Sequence, residues 1–272
     1  MARVGTLEWA GKTGGQLTTL RDRLALLLSQ GIPTKIEELV ARLPIFLGGA
    51  KGADLASRQA LDDIAEIRIP TSPISRAAEE LCERVSQPWL QAHCYRTYAI
   101  GTLMGRGLSF DPEMLFVASM LHDVGLTAAF KQGSGQDLVP GSAGKDAPCF
   151  GVRGAGVAQR LATMHGWPPA RSDALAEAIS LHLNVRVARS QGIEAHILNV
   201  ASSFDVIRLR SHRLTRASIQ GIEGSWPRRD NFCHDISLAW RRESKAHGDC
   251  RGAFLDRWMA FQRRIHKTCP PN

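Results

Sequence analysis

Residues 111–125 read DPEMLFVASMLHDVG, and the fold is decided there. Asp111 offers an N-cap oxygen, Pro112 fits the first helical position, and Glu113 places an acid near the positive end of the helix dipole. Met114, Val117 (or Ala118) and Leu121 recur at helical spacing and mark a core-facing stripe. The stretch ends on His122 and Asp123, with Gly125 as the stop. An imidazole beside a carboxylate in such a setting is costly unless something binds both. Neutral histidine nitrogen and ionised aspartate oxygen are standard ligands of a divalent metal. Adjacent helical residues diverge by about 100°, so both reach one ion only beside the helix end, where the backbone opens.

Working outward, the pattern stays helical. Upstream, 17–30 reads as a helix stopped by Gly31, and Thr34 with Glu37 has capping-box spacing for a helix through Leu43. A further helix is expected over 55–67, then a break at 69–73. Ser72 and Pro73 start a helix through Val85, and Pro88 starts one that carries His93 to about Gly105. Downstream, 131–148 is rich in Gly, Ser, Pro and Asp and reads as a long loop beside the dyad. Helices are expected over 154–165, 171–183, 194–210, 234–245 and 253–266, and no alternating strand pattern occurs. The expected class is all-α, with 1–66 an accessory helical segment and 67–272 the main domain.

Composition narrows the function. The 272 residues are 44% hydrophobic and 22% charged, enough for a full core and unlike a disordered chain. Net charge is +8, but the basic residues are scattered and aromatics are sparse, so a nucleic-acid partner is not expected. No run is long and apolar enough for a membrane span, and the N-terminus lacks the apolar region of a secretory signal. The six cysteines include no CxxC pair and read as thiols of a cytoplasmic protein. The expected partner is a small-molecule substrate; a homo-oligomer through the N-terminal helices is left open.

Partners for the dyad stand in neighbouring helices. His93, Arg96 and Ile100 share one stripe. Asp205 adjoins the apolar stripe of Ile197, Val200, Ala201 and Phe204, so its carboxylate needs a cation, either a metal or Arg96. His234 and Asp235 repeat the dyad letters without a preceding apolar helix and read as an N-cap coincidence. In order, the chain holds HCYRTYAIG over 93–101, LHDVGLT over 121–127, Gly154-Ala155 opening a helix, AISLH over 178–182, FDV over 204–206, and WPRRDNF over 226–232. This series resembles the HD metal-dependent hydrolase superfamily, and its cyanamide hydratase-like branch in particular, from about residue 69 to the C-terminus.

The resemblance implies an HD-domain helical bundle with one divalent metal held by His93, His122, Asp123 and Asp205. Zinc is the expected ion, with iron, manganese or cobalt as alternatives. Dinuclear relatives add histidines in the central segment; here Cys149, Phe150 and Gly151 stand before Gly154, which favours one ion. A metal lowers the pKa of bound water from about 15.7 toward 7, giving a hydroxide able to attack an electrophilic carbon or phosphorus. Asp123 and His182 are the expected catalytic residues, His182 moving a proton. Arg96, Thr127 and Asn184 are candidates for substrate contact, though Arg96 is better suited to bracing a ligand carboxylate. The branch implies hydration of a nitrile- or cyanamide-like carbon. A nucleotide or phosphate-ester phosphohydrolase and a non-catalytic, metal-stabilised binding protein are the alternatives.

Overall fold

The computed structural model describes residues 2–42, 64–65, 67–130, 149–228 and 231–269. The expected helix over 55–67 and loop over 131–148 therefore fall almost wholly outside the described residues. The elements, in chain order, are α1 (Leu7–Thr13), α2 (Leu20–Leu26), a π-turn (Leu27–Gly31), α3 (Ile32–Arg42), α4 (Pro73–Val85), α5 (Pro88–Met104) and α6 (Pro112–Leu121). They continue with α7 (Phe150–Met164), α8 (Pro169–Leu181), α9 (Ile193–Ile207), α10 (Arg216–Ser225), α11 (Phe232–Ala246), α12 (Arg251–Met259) and α13 (Phe261–Thr268). The protein is all-α, as expected. Gln16 and Cys250 form an isolated β-bridge.

Helix α6 is the hub. Its N-cap Asp111 accepts a hydrogen bond from the backbone of Met114, with Pro112 in the first turn. Every residue from Met114 to Leu121 is buried, because α4, α5, α7, α8 and α9 all pack against it. A helix apolar on every side is stable only at such a centre. Around it, α7 and α8 pair closely, as do α5 and α9. Gly125 and Gly154 let the end of α6 and the start of α7 approach backbone to backbone. A Cβ on Gly125 would lie 2.1 Å from the Phe150 carbonyl oxygen, and one on Gly154 3.0 Å from those of Leu121 and His122. Arg153 of α7 pins the same turn, donating to the Gly125 carbonyl while pairing with buried Glu243 of α11 at 2.7 Å.

The N-terminal residues are stitched to this bundle. Asn184 donates to the Val4 carbonyl at 2.9 Å, Ser180 to the Gly5 carbonyl at 2.6 Å, and the Leu7 amide donates to Glu177. Gly5 has φ +91°, and a Cβ there would meet the Asn184 amide at 2.4 Å, so only glycine fits.

Three sequence expectations are corrected. Gly31 does not end a helix: the chain runs from α2 through the π-turn into α3, and the Thr34–Glu37 capping box is absent because both residues are interior to α3. The expected helix over 253–266 is two helices, parted at Ala260, which adopts φ 51°. Cys233 and Cys269 are disulfide-bonded, with Cα atoms 6.3 Å apart, rather than free; the other four cysteines are buried thiols. Among the described residues, no helix is long and apolar enough to cross a membrane.

Candidate metal centre

The dyad sits where α6 ends. His122 is the C-cap, with φ −61° and ψ −33°, while Asp123 has left the helix at φ −110° and ψ 4°. This change of direction turns both side chains toward one point. His93 reaches it from the middle of α5. Ligand atoms of His93, His122 and Asp123 all lie within 4.8 Å of one another, and all three residues are buried.

Hydrogen bonds on the far side of each ring fix the tautomers. The His93 Nδ1 faces Asp205 Oδ2 at 2.7 Å, and the His122 Nδ1 faces the Ser119 carbonyl at 2.8 Å. Both partners only accept, so each Nδ1 carries the proton and each Nε2 carries a lone pair. Those two Nε2 atoms stand 3.1 Å apart. Asp123 Oδ2 lies 3.5 Å from one and 3.4 Å from the other. Two lone pairs and a carboxylate converging without a donor demand added positive charge. A proton or a cation satisfies that demand, and the nitrogen–oxygen donor set fits a divalent metal.

The electrostatics agree. Burial disfavours a charge on His122 and takes its pKa down to about 3, so its neutral ring is a ready ligand. Burial also opposes a charge on His93, but Asp123 and Asp205 overcome it and raise the pKa. Burial works against ionised Asp123, yet His122, His182 and His93 together hold its carboxyl well below the usual range.

Asp205 is placed differently from the four-ligand set. It stands behind His93 and is not among the converging atoms. Arg96 explains why: Nε and Nη2 grip the two Asp205 oxygens, each at 2.8 Å, with both side chains fully buried. Despite burial, Arg96 and His93 keep Asp205 ionised, with its pKa well below the ordinary value. In this arrangement Asp205 orients His93, the usual role of a carboxylate behind a metal-binding imidazole. Arg96 is held in turn by the Trp226 and Pro227 carbonyls, each at 3.2 Å. The Arg96 and Arg228 guanidiniums both lie over the Phe232 ring, 4.7 and 4.6 Å from its centroid. Trp226, Pro227 and Phe232 thus pack around Arg96.

The remaining candidates divide. His182 is the C-cap of α8; its Nδ1 donates to the Ile179 carbonyl and its Nε2 lies 3.4 Å from Asp123 Oδ1. Gly151 makes this possible, since a Cβ there would lie 3.2 Å from the His182 ring and 2.9 Å from Leu183. Thr127 donates to the Val124 carbonyl and holds a turn. The Asn184 amide is engaged by Val4 and Arg251. His234 is exposed at the start of α11, paired with Asp235.

His93, His122, Asp123 and His182 line a cavity that opens to solvent. Its walls come from α9 and the C-terminal helices, including Val206, Ile236, Trp240 and Leu255, with Thr34 of α3 also among the lining residues. Arg96 and Thr127 are not among them. Sequence reading missed these wall residues, because apolar positions at helical spacing look the same whether they face a core or a cavity.

Comparison with curated proteins finds no match. Against family models, residues 90–207 match the one described as HD domain, a span that contains His93, His122, Asp123, His182 and Asp205. The segment that builds this centre is therefore similar to an HD domain.

Proposed function

We propose that the protein is a metal-dependent hydrolase or hydratase acting on a small, uncharged substrate with a carbon–nitrogen multiple bond. HD-domain proteins are generally metal-dependent hydrolases, which supports the reaction class. One observation carries the choice of substrate charge. Apart from histidine, Arg264 is the single basic side chain among the described residues lining the cavity, and Glu38 engages it through two hydrogen bonds of 3.2 and 3.1 Å. A phosphate ester needs a free Arg or Lys clamp, and among the described residues none lines the cavity beside the cluster.

His93, His122 and Asp123 would hold the ion, with zinc the expected metal. When bound, a divalent ion supplies Lewis acidity that brings the pKa of water from about 15.7 toward 7. The chain supplies the rest. Asp205 and Arg96 keep His93 in the tautomer that presents Nε2. His182, whose Nε2 is an acceptor beside Asp123, takes a proton at that atom and returns it to the nitrogen on which charge develops. Burial of the centre excludes bulk water from competing for these groups.

The test is product analysis with purified, zinc-loaded protein offered cyanamide, small nitriles and nucleoside monophosphates. Amide or urea release that disappears in His182→Ala, with metal retained, is expected. Phosphate release without amide or urea would replace this reading with the phosphohydrolase.

A further inference from the structure

Resting on the hydrolase reading above, we infer that the substrate carries an apolar alkyl or aryl body that fills the cavity, plus one polar atom bound by the Thr34 hydroxyl. Two independent observations support this. The first is the wall. Beyond the metal cluster the cavity is bounded by Leu183, Val206, Ile236, Trp240, Leu255 and Met259, an apolar wall of the kind that seats the apolar part of a ligand. A small polar substrate would leave most of that surface wetted and contribute no selectivity, whereas an apolar body gains affinity from burying it.

The second observation is Thr34. It is 2% exposed, lines the cavity, and its Oγ1 has no hydrogen-bond partner. Other polar side chains of the wall are engaged: Ser202 and Ser203 donate to the Asn199 carbonyl, Asn184 bonds Val4 and Arg251, and Arg264 pairs with Glu38. A buried hydroxyl without a partner is costly. A ligand heteroatom satisfies it. The Glu38–Arg264 pair shares α3 with Thr34 and joins that helix to α13, so the N-terminal segment forms one side of the ligand chamber.

The experiment is calorimetric binding of n-alkyl primary amides, acetamide to decanamide, to the full chain with zinc. Each methylene is expected to tighten binding about fourfold until the chain fills the chamber. Met259→Trp should shorten that series and Leu255→Ala should lengthen it, so a folding failure of the larger side chain leaves the second variant as the check. Among hydroxylated isomers of the best amide, one should bind about fivefold more tightly than its parent, and Thr34→Val should remove that advantage while keeping the methylene increments. Affinity that is flat across the series, or unmoved by both wall variants, overturns the inference. A rising series in a protein that releases no amide from any nitrile would leave the inference standing and remove the hydrolase reading.

Discussion

Replacing Arg96 with methionine removes the cation that compensates Asp205 while keeping most of the volume. In the structure the guanidinium makes two 2.8 Å bonds to Asp205 and two 3.2 Å bonds to the Trp226 and Pro227 carbonyls. Arg96 and Asp205 are both 0% exposed, so water cannot replace the lost partner. Breaking a buried pair from one side costs about 3–5 kcal/mol, a large share of the roughly 5–15 kcal/mol that holds a domain folded. Arg96→Met is therefore expected to destabilise by about 4 kcal/mol in urea titration, with the slope unchanged. Adding Asp205→Asn removes the stranded charge, so the double variant should be more stable than the sum of the single effects by at least about 2 kcal/mol. Asp205→Asn should weaken zinc binding about 10- to 100-fold, because His93 loses the carboxylate that fixes its tautomer, and Arg96→Met should weaken it by releasing that carboxylate from its clamp. Arg96→Met within about 1 kcal/mol of the parent, or single effects that simply add, would refute the reasoning.

His122→Ala should reduce co-purified divalent metal to a small fraction of the parent's, read by elemental analysis; equal content would place the ion elsewhere. A methyl at Gly154 would press on the Leu121 and His122 carbonyls at 3.0 Å, so Gly154→Ala should cost about 1–3 kcal/mol and lower metal affinity together. A Gly154→Ala protein with parental thermal stability would contradict that packing. Glu243→Ala removes the carboxylate that Arg153 and the Phe150 amide share, and a loss of about 1–3 kcal/mol is expected from denaturant unfolding. In unfolded but unreduced protein, an alkylating reagent should modify Cys82, Cys94, Cys149 and Cys250 and spare Cys233 and Cys269; labelling of all six would reject the disulfide.

Local chemistry was what the sequence could express. The Asp111 cap, the Ser72–Pro73 start and the His122–Asp123 exit from α6 each depend on a few consecutive residues, and each stands where the pattern put it. Gly31 and Thr34 misled because their meaning is tertiary. The helix continues past them, and ion pairs from Glu37 to Arg210 and from Glu38 to Arg264 tie α3 to the bundle. Asp205 illustrates a finer limit. A ligand and the residue that orients a ligand differ only by which side of an imidazole they occupy, and nothing in the spacing encodes that. The wall residues Ile236, Trp240 and Leu255 were illegible for the same reason, since void and core demand the same letters.

The π-turn at Leu27–Gly31 couples loop length to ligand choice. Everything after it is set in rotation by its winding, and losing one residue there would swing α3 by about 100°. Thr34 would leave the chamber and Glu38 would leave Arg264, while the histidines stayed in place. Preference and reactivity are thus written in separate stretches of chain, and a single-codon length change in one can alter what is admitted without disturbing what is done.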